Sequence, residues 1–180
     1  MQVTVQEIEH IVSDFRGMEG APIKSGGPLE RDPLRRFVQA IMDTDPSYYS
    51  DEFIGQTKFD CVVAPPLYPV HAFRPRLGAP DPLESLWADP DADGAGGNEG
   101  VFFGLPPIVT PLKRLLNGGN EIEFYKNLRL GEYCIVTAKY ADILVKESKG
   151  SPLLLVTIQS TFRNDSDEVL LVNRQTLIWR

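Results

Sequence analysis

Only two cysteines occur among the 180 residues, Cys61 and Cys134, and they have neither CxxC spacing nor a neighbouring histidine. A structural zinc site or a disulfide framework is therefore not expected; both thiols should be reduced and at least one buried. Histidine is equally scarce, at His10 and His71. No apolar run approaches the roughly 18 to 20 residues that a membrane-spanning helix needs. The start, MQVTVQEIEHIVSDF, lacks the basic opening and apolar centre of a signal peptide. A cytoplasmic location without a membrane partner is the expectation. Cations are in deficit too: the net charge is −7 and the isoelectric point near 4.9. Lys and Arg are not clustered with aromatics, which argues against a nucleic-acid partner, because phosphate binding requires concentrated positive charge.

What is present suits one α+β domain over residues 1–180. The 42% hydrophobic content is enough for a single core. Ile8, Ile11, Val12 and Phe15 recur at helical spacing and predict a first helix within 5–16, an N-terminal helical extension over residues 1–20. Residues 22–30 are too rich in Gly and Pro for helix and read as a short strand or extended loop. Asp32 followed by Pro33 resembles an N-cap with proline in the first turn, and Leu34, Phe37, Val38 and Ile41 supply the buried stripe of a second helix ending near Asp43. Residues 43–59 read as a loop with a helical turn at 50–54. From Val62 to Phe73 the chain is apolar, but Pro65, Pro66 and Pro69 forbid a central strand. A buried helix starting at Pro66 is the expectation.

Residues 75–101 form an insertion rich in Pro and Gly that carries Asp81, Glu84, Asp89, Asp91, Asp93 and Glu99. Such a composition buries little apolar surface and reads as a surface excursion. Trp87, with the apolar Leu83 and Leu86 just before it, would pin one short turn to the body or to a partner, packing being favoured over ligand binding. The last 60 residues read as strands: 121–125, 133–146, 153–162 and 169–179, with hairpin turns at 149–152 and 164–167. This is an antiparallel meander whose long strands imply strong curvature around a covering element, the helix at 66–73.

Four stretches resemble one family in order and spacing: Arg35 to Tyr48 (RRFVQAIMDTDPSY), Val63 to Tyr68 (VAPPLY), Asn117 to Gly131 (NGGNEIEFYKNLRLG) and Arg174 to Arg180 (RQTLIWR). Together they span about four fifths of the chain, and the chain resembles MaoC-like dehydratases, specifically the N-terminal-domain branch. The resemblance implies a hotdog fold, a curved antiparallel sheet wrapped around a buried central helix. It also implies pairing with a second hotdog, a MaoC-like subunit or another copy of the chain. The substrate it implies is an acyl thioester of coenzyme A or a carrier protein. No further cofactor is implied, since coenzyme A is the carrier.

Active members carry GDxNPxH, whose Asp and His act on a water or on the substrate hydroxyl. The matching residues here are Met42, Asp43, Thr44, Asp45, Pro46, Ser47 and Tyr48. Asp43 matches the aspartate, Tyr48 replaces the histidine, and Met42 and Asp45 replace the glycine and asparagine. Hydration of an enoyl thioester needs one proton taken from water and another delivered to carbon. A phenol with an ordinary pKa of about 10 is a poor base at neutral pH. The acid/base pair is thus incomplete, and the resemblance implies that a partner supplies the Asp and His while this half shapes the acyl pocket.

Each candidate has a structural alternative. Asp43 either retains an acid role or ends a helix. Tyr48 and Tyr49 either line a channel or pack. His71, on the expected helix, has little claim to catalysis, and His10 less. Backbone amides near Pro66, Leu67 and Tyr68 would hold a thioester carbonyl oxygen if a helix starts there, Pro66 itself having no donor. Gly118, Gly119 and Asn120 read either as a cradle for the CoA diphosphate or, more simply, as a turn before a strand. An acyl-CoA thioesterase using Asp43 to activate water, and a noncatalytic acyl-CoA-binding module, are the alternative functions.

Overall fold

The computed structural model describes residues 3–54, 56–73 and 102–180, with Gly78 and Glu84; the remainder of the acidic insertion, Trp87 included, lies outside the described residues. The centre of the fold is a five-stranded antiparallel sheet in the order β1-β3-β4-β5-β2. Its strands are β1 (Ile23–Lys24), β2 (Leu115–Phe124), β3 (Cys134–Ser148), β4 (Ser151–Asn164) and β5 (Val169–Trp179). The meander expected at the C-terminal end is β3–β4–β5, and β2 lies against β5 at one edge.

Local chemistry sets the two hairpins. Lys149 and Gly150 both have positive φ, 52° and 76°, the pairing that matches the twist of flanking strands in a two-residue turn. At the second hairpin the buried Asn164 side chain accepts from the N–H groups of Ser166 (3.1 Å) and Glu168 (2.9 Å). Alternation along β4 is complete: every even residue from Pro152 to Asn164 is buried, so one face of the sheet is the core face. Ala141 is an extra residue in β3, where the register with β4 shifts between Tyr140 and Asp142.

The core face is covered by several short elements. Helix α1 (Val5–Val12) buries Ile8 and Val12, and α2 (Arg31–Ala40) buries Leu34 and Val38. The first helix starts on a reciprocal cap between Thr4 and Glu7. A 3-10 turn, Ser13–Phe15, prolongs it, after which residues 17–24 run along the edge of β3, with Gly20 N–H donating to Ala138 O at 2.8 Å. The second helix differs at its start from the expectation: Glu30 is the N-cap, without a side-chain bond, because Asp32 is engaged instead by Arg35 and Arg36.

The proline-rich segment forms only one helical turn, α4 (Tyr68–His71), beginning two residues later than expected, since Pro65 and Pro66 belong to the preceding turn. Its buried residues are Tyr68 and Pro69. Phe73 and Phe103 add to the cover by packing against Phe162, at ring-centroid distances of 5.9 and 5.5 Å. A further one-turn helix, α3 (Asp51–Ile54), lies where a helical turn was expected.

Candidate functional site

Helix α2 delivers the loop that matches GDxNPxH, and the way it stops shapes that loop. Ile41 is the C-cap; Met42 N–H donates to Gln39 O at 3.2 Å and Asp43 N–H donates to Val38 O at 3.2 Å. Met42 has φ 55°. This is the left-handed helix stop that usually employs glycine, and Met42 stands at the glycine position of the pattern. The backbone at Met42 thus takes a conformation that glycine favours although the residue is not glycine. Asp43 Oδ1 then accepts from Asp45 N–H at 3.0 Å, and Asp45 Oδ1 accepts from Ser47 N–H at 2.9 Å, capping a 3-10 turn at Pro46–Tyr48. Tyr49 donates its hydroxyl to Thr44 O.

Tyr48 is half-buried against the core. Burial, reinforced by the negative charges of Asp45 and Asp43, pushes its phenol above the ordinary value. The substitution for histidine therefore removes a base and installs a group still harder to ionise.

Three of the stretches that carry the family resemblance meet in space. Val63 N–H reaches Ser47 O at 3.4 Å, tying the proline-rich strap to the loop. The same strap pairs with residues 128–130: Ala64 N–H donates to Leu128 O (2.8 Å), Leu130 N–H donates to Val62 O (3.1 Å), and Asn127 Nδ2 donates to Ala64 O (2.9 Å). Beyond the strap, Phe37 meets Tyr68 edge-to-face (ring centroids 5.3 Å) and His71 at a tilt (5.0 Å). A hollow of about 350 Å³ opens here, lined by Pro28, Leu29, Tyr68, His71, Leu128 and Cys134. A second, of about 540 Å³, lies on the other side of residues 125–132 and includes Lys58, Lys126 and Arg129. Two of its cations are already paired, Lys126 with Glu168 and Arg129 with Asp60.

Other expected site residues fall differently. Tyr68 N–H donates to Pro65 O at 2.9 Å, so of the amides proposed for a carbonyl oxygen only that of Leu67 is left, beside a half-exposed side chain. Gly118, Gly119 and Asn120 do not form a turn before a strand: they lie within β2, at a bulge between Asn117 and Gly119. A side chain at Gly118 would meet Ile178 Cδ1 and Thr176 O at 3.0 Å, so glycine there answers to the adjacent strand. Asn120 is four residues from Phe124, the end of β2 toward the strap, about 14 Å by strand rise. Cys134 is buried and its thiol is pushed up to about 12 by desolvation, whereas Cys61 is half-exposed. Sequence reasoning missed the strap itself; the signal was the recurrence of unpaired polar backbone beside three prolines, which needs an external partner.

The sequence matches the family described as FAS1-like, dehydratase domain region, over residues 17–172. The chain belongs to that family. A search of curated protein sequences gives no match. Among solved structures, the chain is similar to a chain of the ChsH1-ChsH2 complex from Mycobacterium tuberculosis, with TM-score 0.71, 18% identity and coverage of 97% of this chain and 92% of that one. It is also similar to a chain of the C-terminally truncated HadBC (3R-hydroxyacyl-ACP dehydratase) complex from the same organism, with TM-score 0.58, 16% identity and coverage of 92% and 97%. The MaoC-like dehydratase from Rhodospirillum rubrum gives TM-score 0.56, 19% identity and coverage of 89% and 90%. The fold is the hotdog fold of these proteins. Among the described residues, no helix is long and apolar enough to cross a membrane.

Proposed function

We propose that this member of a dehydratase family serves as the pocket-forming half of an enoyl-CoA hydratase or 3-hydroxyacyl-CoA dehydratase, with a MaoC-type hotdog partner supplying the Asp/His pair. The observation that carries this reading is the loop at 42–48. Its backbone has a left-handed helix stop at Met42 and a 3-10 turn at Pro46–Tyr48, and the position that is histidine in GDxNPxH holds a half-buried tyrosine with a raised pKa. Asp43 alone would have to take a proton from water and deliver one to carbon, which a single carboxylate does poorly.

The exposed edge of the sheet supports a partner. Among the described residues strand β2 pairs only with β5, and most of its residues are exposed. In an antiparallel ladder every second residue of an edge strand turns its N–H and C=O outward. Arg114 exchanges both backbone bonds with Arg180 and Tyr125 N–H donates to Leu170 O, so by alternation Asn120, Ile122 and Phe124 face away from β5. A second hotdog sheet joined there would continue the ladder and remove an edge prone to misassociation. Two of the similar structures, ChsH1-ChsH2 and HadBC, are complexes of hotdog subunits.

The decisive experiment follows loss of the enoyl-thioester absorbance with crotonyl-CoA and longer enoyl-CoA. The chain is assayed alone and after coexpression with a MaoC-like protein. Hydration only by the mixture is expected. Hydration by the chain alone would assign chemistry to Asp43 or Tyr48 and overturn the division of labour, and release of free thiol without hydration would move the assignment to a thioesterase.

A further inference from the structure

Among the described residues every arginine but two forms an ion pair with a carboxylate. The exceptions are Arg114 and Arg180, in a chain whose net charge is −7 and which has acids to spare. They stand directly opposite one another, just past the paired ends of β2 and β5. Arg114 N–H donates to Arg180 O and Arg180 N–H donates to Arg114 O, both at 3.0 Å. Residues that exchange both backbone bonds lie with Cα atoms about 5.5 Å apart and side chains on one face. Like charges placed this way destabilise a ladder.

Lys113 adds a third cation, and among the described residues it too has no carboxylate partner. With the two arginines and Ser151 it lines a hollow of about 600 Å³ that has no Asp or Glu in its wall. Pro111, Leu112 and Pro152 make the apolar part of that wall. The two hollows near the candidate loop are different in kind. One has Glu30 and Glu132 in its lining, and the cations of the other are held by Glu168 and Asp60. Three unneutralised cations around one hollow call for a ligand with more than one negative charge.

We propose that Arg114, Arg180 and Lys113 bind the nucleotide phosphates of a coenzyme A thioester whose acyl end lies in the partner's site. The inference rests on the acyl-thioester reading above and on the joint at β2. Guanidinium forks match phosphate oxygens in pairs, and the apolar wall suits the flat face of a base. Distance assigns the bound carrier to the partner. Arg114 is ten residues before Phe124, the end of β2 toward this chain's own strap, about 33 Å by strand rise. A two-fold axis normal to a continued sheet pairs the two edge strands antiparallel. Arg114 then lies beside the opposite end of the partner's strand, the end that adjoins the partner's loop. This half holds the carrier while the partner performs the chemistry.

The test compares crotonyl-CoA with crotonyl-pantetheine, which lacks every phosphate, as substrates of the coexpressed assembly. Arg114→Gln and Arg180→Gln in this chain should each lower the ratio of kcat/KM for the first substrate over the second about ten-fold, through KM, the loss expected of one charge-assisted contact. Both side chains are exposed, and either variant serves if the other does not fold. Calorimetry on the isolated chain at low salt uses adenosine 3′,5′-bisphosphate, which should bind more tightly than inorganic phosphate and lose that advantage in both variants. A ratio unmoved by both substitutions, or bisphosphate bound no better than inorganic phosphate, overturns the proposal. If the assembly hydrates both thioesters and the ratio does not move, this inference alone falls. If it hydrates neither, the acyl-thioester reading fails and takes the inference with it.

Discussion

Met42 is a long apolar side chain, 85% exposed, held at φ 55° where a helix stops. A non-glycine residue in that region costs roughly 1–2 kcal/mol, of which glycine recovers all but the extra freedom it gives the unfolded chain. Met42→Gly is therefore expected to stabilise the protein by up to about 1 kcal/mol, read as a rise in the urea midpoint at constant slope. Two interior groups fix the response to alkali. Burial pushes Cys134 from 9.0 up to about 12, and Tyr140 from 10.0 up to about 12. In the unfolded chain these groups ionise near their ordinary values while the folded protein holds them neutral, so their contribution is complete below about pH 9 and is lost as pH rises toward 12. Urea midpoints at about pH 8 and about pH 10.5 should show the fall, at up to about 1.4 kcal/mol per pH unit for each group once it titrates. Cys134→Ala should remove the part that begins near pH 9; an unchanged slope in that variant would assign the loss elsewhere. Residue chemistry of this kind was partly legible: a buried thiol was expected, but not which of the two, because burial of Cys134 follows from its place at the start of a central strand.

Strand β2 shows where local reading and tertiary structure part. The run NGGNE has the composition of a turn and was expected to be one, yet it lies in the middle of a ten-residue strand. Its conformation is imposed by β5: Ile178 leans over Gly118, and Gly119 takes φ 121° with its N–H donating to Asn117 Oδ1 at 3.0 Å. Composition reports turn propensity, whereas nine register pairs to β5 decide the outcome. The strands β3, β4 and β5 were legible to within a few residues because alternation and β-branched runs agree with their burial. The one-turn α4 was less so, since three prolines carry a helix-start signal and a strap signal at once. If β2 is the joining edge, Asn120→Pro should separate the subunits, because proline removes an outward N–H and blocks close approach while its own face toward β5 forms no bond there. Sedimentation should show a shift to monomer with the far-ultraviolet spectrum preserved; an unchanged oligomer would place the interface elsewhere.

At the scale of the whole molecule, the question is which protomer does the chemistry. The candidate loop of this chain is a well-formed piece of backbone with its polar atoms turned to structural use: Asp43 holds Asp45 N–H, Asp45 holds Ser47 N–H, and Tyr48 packs. Three of the four family stretches converge there, which is what a pocket wall requires, and none of the three contains a histidine. This much could be read from the substitution at Tyr48; the consequence for Asp43 could not, because its bond to Asp45 depends on the left-handed stop at Met42. If the chain pairs as proposed, the pair is asymmetric, and equivalent substitutions on its two sides have unequal effects. Removing a true general acid or base costs about 10²–10⁴-fold in turnover. Asp43→Asn in this chain keeps an oxygen that accepts from Asp45 N–H, so kcat of the assembled hydratase should remain within about three-fold, whereas the corresponding change in the partner should fall in the catalytic range. Single-turnover assays of the two reciprocal assemblies decide between the alternatives: equal losses would mean that both loops act on substrate, and a large loss from Asp43→Asn alone would make this chain the catalytic half.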